Sequence, residues 1–529
     1  MNRRNFFKGI FFIFASFPLK IFPSIKQKKI SFDYGVASGD PTHTNVILWT
    51  KISTTESGKL NVLWEVSTDN NFLEIINSGN TEATATNNFT VKVDAKIPNE
   101  FNGKKLFYRF ISEGMKSDIG HTLTLPKYNP DQFNIAFCSC SNYPAGYFNA
   151  YQDMANNEEI DLVLHLGDYI YEYSREGYAS KDAEKMGRLV NPANEIISLD
   201  DYRKRHATYK SDKDLQLLHK SKPMIVIWDD HEIANDTWKE GAQNHSSDEG
   251  SFVKRRDDAV RAYYEWMPIR ETQERKKIWR NFSVGNLINL VMLDTRLVGR
   301  EKQIDLNSYF EDELFNKYQY EEDLNKPRKL LGDEQFKWID KTIDSKYKWS
   351  IFGQQLLIGP KNVPSAFKEL KEESIPSYFK KYLQLAGKGI PINTDQWDGY
   401  PMERQNFYKV IAKSQSNLVL AGDSHNSWFS NLIDDNDKFI GIEIGAPAIS
   451  SPSTVDSFGD FVDQIDKSFV EDNKDLVWTN GRGKGYVLLK ISETFVDVNF
   501  HYVSTVKSKE YRPLKPVNFR VEHNKPYAA

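Results

Sequence analysis

From residue 133 onward the chain carries a series of short, continuously apolar segments, each of strand length and each followed by polar residues. These segments are 133–137, 162–166, 224–228, 290–293, 349–352 and 418–420. Continuous apolar runs of this length are typical of strands that are buried on both faces. Segments with a helical pattern separate them, so the series predicts a layered α/β core.

The preceding part of the chain has a different pattern. Short runs rich in β-branched and aromatic residues occur at 46–49, 62–66, 89–93 and 106–110, separated by Gly, Asn and Pro. This pattern predicts an N-terminal β-sandwich over residues 31–128. A proline-bounded linker follows, and a second domain is predicted over residues 129–529. Within that domain, segments 439–444 and 486–491 alternate more strictly, and we predict them to be antiparallel strands of a second sheet.

Composition narrows the range of functions. The 529 residues are 40% hydrophobic and 27% charged, with a net charge of -4. These values suit a globular protein with a large core, and they exclude both disorder and a strongly basic surface over the whole chain. No specific nucleic-acid partner is therefore expected. The two cysteines, Cys138 and Cys140, are too close in sequence for an unstrained disulfide.

The first 30 residues have the features of an export signal. Arg3 and Arg4 precede an apolar stretch over residues 9–17, which is too short and interrupted to form a permanent membrane span. The arginine pair resembles a twin-arginine signal, which carries folded proteins across a membrane. We therefore expect the twin-arginine export machinery as a partner and a periplasmic or secreted location. A plain secretory signal and an uncleaved anchor remain the alternatives.

Four of the apolar segments are followed by side chains that can bind metal ions, at 138–142, 167–172, 229–236 and 421–426. Side chains at the carboxyl ends of neighbouring strands converge on one crevice. Carboxylates, a phenol and a thiol gathered in one place repel one another unless cations neutralise them. The pattern predicts a multinuclear metal centre. Each residue taken singly has a structural alternative as a helix cap, a buried small hydrophobe or a core histidine.

These strand ends resemble the motif blocks of the calcineurin-like metallophosphatases. The matching blocks are Gly167-Asp168-Tyr169, Asp229-Asp230-His231-Glu232 and Gly422-Asp423-Ser424-His425. More closely, the ordered segments 35–41, 48–50, 165–172, 228–232, 293–296, 353–355, 397–401 and 421–425 resemble the PhoD-like alkaline phosphatases. The resemblance implies a four-layer α/β/β/α metallophosphatase domain preceded by an N-terminal β-sandwich of the immunoglobulin or fibronectin type.

The resemblance also implies a metal centre of Fe³⁺ with Ca²⁺ beside it. The matching positions for the metal ligands are Cys140, Asp168, Tyr171, Asp230, Asn235 and Asp423. Cys140 and Tyr171 would bind iron, and Asp168 would bridge iron and calcium. Thiolate and phenolate suit a trivalent iron, whereas ligands that offer only oxygen suit calcium. Cys138 has no counterpart in the family pattern and is expected to be structural.

The implied function is that of an exported alkaline phosphatase, which would act as a monomer on phosphate esters and release inorganic phosphate. A metal-bound oxygen would attack phosphorus in line, and His231 and His425 would donate hydrogen bonds to the phosphoryl group or the leaving oxygen. Arg296 is a candidate phosphate ligand, with a structural salt bridge as its alternative. Two other functions stay open: a phosphodiesterase or phospholipase D-type hydrolase of the same family, and a non-catalytic secreted binding protein.

Overall fold

The structure, a computed structural model of the chain, describes residues 30–311, 314–370 and 379–527. The predicted signal segment, residues 1–30, therefore lies outside the described residues except for its last position. Within these ranges, no helix is both long and apolar enough to cross a membrane.

The strands and helices have the following bounds. The strands are β1 (Ile30–Ser31), β2 (Val36–Gly39), β3 (Asn45–Lys51), β4 (Ser53–Thr54), β5 (Leu60–Ser67), β6 (Ile75–Ala83), β7 (Thr90–Lys96), β8 (Lys105–Ser112), β9 (Met115–Lys116), β10 (Gly120–Leu123), β11 (Phe133–Cys138), β12 (Leu162–His165), β13 (Met224–Val226), β14 (Arg280–Val284), β15 (Ile288–Met292), β16 (Phe310–Glu311), β17 (Leu314–Phe315), β18 (Trp349–Gly353), β19 (Asn417–Ala421), β20 (Ser427–Ile433), β21 (Phe439–Gly445), β22 (Leu476–Asn480), β23 (Lys484–Ile491), β24 (Phe495–Val503) and β25 (Val517–Glu522). The helices are α1 (Asn149–Asn156), α2 (Leu199–Lys210), α3 (Lys213–Ser221), α4 (Phe252–Trp266), α5 (Lys317–Leu324), α6 (Gly332–Thr342), α7 (Lys380–Leu383), α8 (Pro401–Ile411), α9 (Thr454–Phe458) and α10 (Val462–Asp472).

Two large sheets form the centre of the molecule. Among the described residues, one has nine strands in the order β25-β24-β23-β11-β12-β13-β2-β3-β7, and the other has seven in the order β14-β15-β18-β19-β21-β20-β22. Strands β11, β12 and β13 run parallel in the first sheet, and β15, β18, β19 and β21 run parallel in the second. Parallel strands share a direction, so the loops that follow them leave from one edge of each sheet.

Alternate side chains of the seven-stranded sheet pack into two different cores. Leu290, Ile351 and Leu418 join the core that lies between the two sheets. Their neighbours Val291 and Phe352 point the other way and pack with side chains of α6 and α8. Helices α1 and α3 contact strands of the nine-stranded sheet. The result is the expected four-layer arrangement of helices, two sheets and helices.

The N-terminal region is a β-sandwich, as predicted from its sequence pattern. Strands β5, β6, β8, β9 and β10 form one sheet, and β2, β3 and β7 lie opposite it. Val46, Leu48, Val62 and Phe110 belong to the shared core between the two sheets. However, β2, β3 and β7 do not form a separate sheet: β2 pairs in parallel with β13 and so extends the nine-stranded sheet.

One prediction about the later strands was wrong. The segments 439–444 and 486–491 were expected to lie antiparallel in a second sheet, but they belong to different sheets. Strand β21 pairs parallel with β19 and antiparallel with β20, whereas β23 pairs antiparallel with β11. Alternation in a sequence reports which faces of a strand are buried, and it carries no information about the partner strand.

A buried lysine lies where the N-terminal region meets the core. Lys210, the last residue of α2, is 1% exposed, and its Nζ lies 3.2 Å from His219 Nε2 and 4.4 Å from the centre of the Trp49 ring. Burial lowers the pKa of Lys210 to about 7. Since the unfolded chain keeps the usual, higher pKa, it binds this proton more tightly than the folded protein does. Lys210 therefore reduces stability most below pH 7, and the loss is relieved as the pH rises toward about 10.

We accordingly expect Lys210→Met to raise the free energy of unfolding at pH 7 by roughly 1–3 kcal/mol and to flatten its rise between pH 7 and 10. Urea unfolding at several pH values measures both effects. Lys204→Met is the matched control, because Lys204 is exposed on the same helix. The Lys204→Met variant should leave the free energy of unfolding and its pH dependence close to those of the wild-type protein. Equal effects of the two variants would contradict the prediction.

Candidate metal centre

The four strand ends singled out in the sequence meet in the structure. The loops after β11 and β12 are joined by hydrogen bonds from Cys140 N to Gly167 O (3.2 Å) and from Ser141 N to Asp168 O (2.9 Å). The loop after β11 also meets the seven-stranded sheet, because Ile449 N, just beyond β21, donates to Ser139 O at 3.0 Å. Loops from both sheets therefore contribute to one site.

Side chains from these loops bring potential metal ligands together. In the part of the chain that the structure describes, three sets of three residues each place donor atoms within 4.8 Å of one another. The sets are Cys140, Asp168 and His425; Asp168, Asp230 and His231; and Asp229, Asp230 and Asp423. Asp168 and Asp230 each belong to two sets. The three sets therefore form one continuous array of donors.

Several carboxylate oxygens in this array lack a hydrogen-bond donor. Among the described residues, nothing donates to Asp168 Oδ1, Asp229 Oδ2 or Asp230 Oδ1, although all three atoms are buried. Burial raises the pKa of Asp168 well above its usual range, and the charge of Asp230 adds to this effect. Unpartnered buried carboxylate oxygens are costly unless a cation binds them. The array therefore fits metal ions.

One end of the array combines a thiol, a phenol, a carboxylate and an imidazole. Tyr171 donates from its hydroxyl to Asp168 Oδ2 at 2.9 Å and accepts from Ser451 Oγ at 2.8 Å. His425 Nε2 lies 3.3 Å from the same hydroxyl. Cys140 is fully buried, and burial followed by the charge of Asp168 raises the pKa of its thiol well above the usual range. A cation would be needed to hold this thiol as a thiolate.

The protonation state of His425 follows from its hydrogen bond to the backbone. Its Nδ1 lies 2.6 Å from Pro452 O, and a carbonyl can only accept, so Nδ1 carries the proton. Burial lowers the pKa of His425 to about 3, which leaves the ring neutral with a lone pair on Nε2. The sequence interpretation placed His425 near phosphate. In the structure its side chain both lines the cavity and belongs to the donor set of Cys140 and Asp168.

The pKa of His231, unlike that of His425, is raised by its surroundings. Its Nδ1 lies 2.7 Å from Glu172 Oε2, and its ring stacks on that of Tyr171 with the centres 4.2 Å apart. Burial lowers the pKa of His231, but Asp168, Glu172 and Asp230 outweigh it and raise the pKa well above its usual value. The His231 side chain lines the same cavity as His425.

The remaining predicted metal ligands, Asp230, Asn235 and Asp423, lie at the far end of the array. Asp230 Oδ2 accepts a hydrogen bond from Asp236 N at 2.6 Å, and Asn235 lines the cavity beside it. Burial raises the pKa of Asp230, but the Arg296 and His231 cations outweigh it and lower the pKa below its usual value. Asp423 belongs to the set with Asp229 and Asp230, and burial raises its pKa to about 6.

Arg296 does not reach the cavity, in contrast to the predicted phosphate contact. Its side chain is fully buried behind the carboxylates, where Nε donates to Asp229 Oδ1. Its two terminal nitrogens donate to Asp395 Oδ2 and Asp423 Oδ1, each at 2.7 Å. Each guanidinium nitrogen is thus held by a carboxylate. The alternative of a structural salt bridge, which the sequence left open, is the arrangement found, and we assign Arg296 to positioning.

Several residues of these loops have an uncommon backbone conformation. Cys140, Asp168, Asp236, Asp423 and His425 have φ between +51° and +64°. Non-glycine residues rarely adopt this left-handed conformation, and it tends to cluster at functional sites. A turn this tight also requires the glycine that precedes Asp168. Gly167 has φ +105°, and a Cβ atom there would lie 2.4 Å from Asp229 Cβ.

Several site residues had no assigned role in the sequence analysis. Glu172 holds His231 and accepts from Asn235 N at 2.8 Å, and Glu232 accepts from the backbone nitrogens of Asp168 (3.0 Å) and Tyr169 (2.6 Å). Both glutamates lie within the segments that follow the apolar strands, so their position in the sequence could have identified them as site residues. Asp395 and Ser451 come from irregular loops with no comparable pattern. Cys138, in contrast, lies in the hydrophobic core and belongs to none of the donor sets.

The array borders a cavity of about 590 Å³. Its lining residues are Asp168, Tyr173, Tyr178, Asp230, His231, Asn235, Asp236, Asn393, Asp395, Asp423 and His425. Two facing sheets with a buried set of carboxylate, thiol, phenol and imidazole donors at a common edge are the mark of a metallohydrolase of the α/β/β/α class.

Comparison with known proteins assigns the chain to a family within that class. The model of the PhoD-like phosphatase matches residues 135–500, and the model of the N-terminal domain of PhoD-like phosphatases matches residues 20–126. Alkaline phosphatase D of Bacillus subtilis (strain 168) is 36% identical over 441 residues, which cover 80% of this chain and 69% of that protein. A solved structure described as the structure of PhoD has a TM-score of 0.77 at 31% identity and covers 93% of this chain and 90% of its own.

The chain belongs to the PhoD-like phosphatase family and is therefore a phosphoric ester hydrolase. The family resemblance and the fold class predicted from the sequence are both confirmed.

Proposed function

We propose that the protein is a metal-dependent alkaline phosphatase that hydrolyses phosphate esters and releases inorganic phosphate. The observation that carries this proposal is the array of buried donor groups with unpartnered carboxylate oxygens at the wall of a cavity. The relative named alkaline phosphatase D in Bacillus subtilis supports it. A family member that acts only as a binding protein would have no need for such an array.

We further propose Fe³⁺ and Ca²⁺ as the ions. Cys140, Tyr171 and Asp168 would hold iron, with His425 Nε2 as an additional donor, because anionic thiolate, phenolate and carboxylate ligands suit a trivalent iron. Asp230, Asn235 and Asp423 would hold calcium through oxygen atoms, and Asp168 would reach both ions. When bound, the ions supply positive charge for the phosphoryl oxygens and lower the pKa of water.

The chain's own residues would orient the substrate. Glu172 holds the His231 ring through Nδ1 and helps to raise its pKa. In its protonated form the ring would donate a hydrogen bond from Nε2 to a phosphoryl oxygen or to the departing alcohol oxygen. Arg296 would hold Asp229 and Asp423 in position from behind. Parallel assays on a phosphate monoester and a diester test the proposal. A clear preference for the diester would favour the phosphodiesterase or phospholipase D-type alternative.

The two cysteines provide a test of the iron site within one chain. We expect the Cys140→Ser variant to bind iron at least about a hundredfold more weakly than the wild-type protein, because the substitution removes a direct ligand of the metal. Loss of a group that only supports a ligand already weakens metal binding about 10–100-fold. Cys138→Ser is the matched control, since Cys138 is equally buried but lies outside the donor sets. Metal analysis after dialysis measures both. Equal loss of iron would show that the wrong thiol was chosen or that both bind.

The phenol provides a spectroscopic test. Tyr171→Phe should abolish any visible absorption band that arises from charge transfer between a phenolate and iron. Tyr173→Phe is the control, because Tyr173 lines the same cavity and its ring centre lies 5.4 Å from that of His231. Its variant should keep the band. An unchanged spectrum in Tyr171→Phe would exclude Tyr171 as an iron ligand.

We also propose that the protein is exported through the twin-arginine pathway to the periplasm or the medium, and that it acts as a monomer. The arginine pair and apolar stretch within residues 1–30 support export. A pathway that carries folded proteins would let the chain acquire its metals before it crosses the membrane. Fractionation of cells that produce the full chain tests the location. Retention in the cytoplasm would overturn it.

A further inference from the structure

A second cavity, of about 540 Å³, opens beside the metal centre and shares Asp236, Asn393 and Asp423 with it. Nine of its eighteen lining residues are apolar or aromatic, against two of the eleven that line the first cavity. These nine are Leu357, Phe367, Phe379, Tyr382, Ile392, Trp428, Phe458, Ile465 and Phe469. We call this cavity the aromatic pocket. Because the two cavities share wall residues, a molecule held at the metal centre can extend into the aromatic pocket.

The rings of the aromatic pocket pack against one another. Phe367 is buried and lies 5.6 Å from Phe458 and 6.0 Å from Phe379, centre to centre. Trp428 and Phe469 form an edge-to-face pair with centres 5.1 Å apart on another part of the wall. Tyr382 and Phe458 are half-buried, so their side chains remain accessible. Such walls favour flat, apolar groups.

Three of the four charged side chains in the lining, those of Lys361, Asp398 and Asp423, are paired with residues of opposite charge. Lys361 Nζ lies 3.0 Å from Glu443 Oε2, and Asp398 Oδ1 lies 2.6 Å from Arg404 NH1. These pairs neutralise the only lysine and one of the aspartates of the wall as the structure describes it.

The small polar side chains of the lining are engaged as well. Asn426 Nδ2 donates to Thr454 Oγ1, and Trp428 Nε1 donates to Ser424 Oγ, both at 2.8 Å. Gln396 Nε2 donates to Asp423 Oδ2 at the border with the metal centre. Away from the border with the metal centre, where Asp236 and Asn393 lie, a charged or strongly polar group would find few free partners in the pocket. An apolar group would lose only its contact with water.

We propose that the aromatic pocket is the subsite for the organic group of the phosphate ester, and that it selects esters whose organic group is aromatic or otherwise apolar. This inference rests on the proposed phosphatase function, because the phosphoryl group must lie at the metal centre for the organic group to reach the pocket. A volume of about 540 Å³ lies within the range of pockets that hold small organic ligands.

The test compares two monoesters, 2-naphthyl phosphate and glycerol 2-phosphate, with the metal-loaded full chain. Phe458→Ala and Tyr382→Ala each remove a half-buried ring from the pocket. We expect each variant to lower kcat/KM for the naphthyl ester about tenfold more than for the glycerol ester. Dividing by the wild-type values removes the difference in leaving-group chemistry. Inhibition supplies a second measurement. The two substitutions should weaken inhibition by phenylphosphonate about tenfold more than inhibition by methylphosphonate.

Phe107→Ala is the matched control, because Phe107 is also half-buried but lines a cavity that shares no residue with the metal centre. The Phe107→Ala variant should have unchanged kcat/KM values for both esters. If the wild-type protein hydrolyses neither ester, the proposed function fails. If the wild-type protein hydrolyses both esters and the two pocket variants lower kcat/KM equally for both, or not at all, the proposed function stands and the subsite is refuted. Metal content and melting temperature show whether each variant is folded and loaded.

Discussion

Replacing Asp168 with Asn is expected to lower kcat/KM for a phosphate ester by about a thousandfold, because the metal contribution to phosphoryl transfer is worth several kcal/mol. Asp168 belongs to two donor sets at once, and its Oδ1 is buried without a donor among the described residues. An amide has the same shape but no charge, so metal should be lost from both ends of the array. Activity assays and metal analysis on the same samples measure the two losses together.

Asp294→Asn is the matched control for this substitution. Asp294 is also buried at the end of a core strand, but both of its oxygens accept hydrogen bonds, including one from Trp228 Nε1 at 3.1 Å. The control should lose some stability and retain its metal. Retention of full metal content by Asp168→Asn, or equal metal loss in both variants, would contradict the assignment of Asp168 as the shared ligand.

Replacing Arg296 with Met is expected to lower the free energy of unfolding by about 3–5 kcal/mol, which is the cost of leaving buried charges without their partner. Arg296 is fully buried and holds three carboxylates, on Asp229, Asp395 and Asp423. Removing it leaves negative charges that repel one another and the remaining acids of the array. Urea unfolding of the wild-type protein and the variant at one pH and metal concentration measures the loss.

An exposed arginine of the same pairing type is the control. Arg520 faces Asp497 through two nitrogen–oxygen contacts of 2.6 and 2.9 Å, but its side chain is 57% exposed. Arg520→Met should cost far less stability than Arg296→Met, because water and salt screen an exposed ion pair. If Arg296→Met instead leaves stability unchanged and only raises KM for the phosphate ester, the phosphate contact first predicted for Arg296 would be correct after all.

The sequence was most informative where structure depends on neighbouring residues. Apolar segments such as 162–166 and 418–420 were recognisable as strands because a strand buried on both faces needs an unbroken apolar run. The donors Asp168 and Asp423 were recognisable because each follows such a strand within a few residues. Most residues of a site at the ends of parallel strands can thus be predicted from short, contiguous sequence motifs.

Features that depend on distant parts of the chain were not predictable in this way. Arg296 is adjacent to a core strand in sequence, but its direction is decided by Asp395, which lies 99 residues away in an irregular loop. The sheet of β23 was misjudged because its partner β11 lies more than three hundred residues earlier. The tautomer of His425 could not be predicted, because it depends on Pro452 O, a backbone atom that has no sequence signature.

The pairing of β2 with β13 has a consequence for how this chain can be divided. In the full chain Asp40 N donates to Met224 O at 3.1 Å, and the Arg280 guanidinium joins Asp40 to Val226 O at 2.7 Å. A fragment that began at residue 129 would expose the open side of β13 to solvent. Unprotected strand edges promote intermolecular pairing, so such a fragment would aggregate. The N-terminal sandwich therefore covers the edge of the strand that precedes Asp229 and Asp230, and the two regions cannot be exchanged independently between proteins.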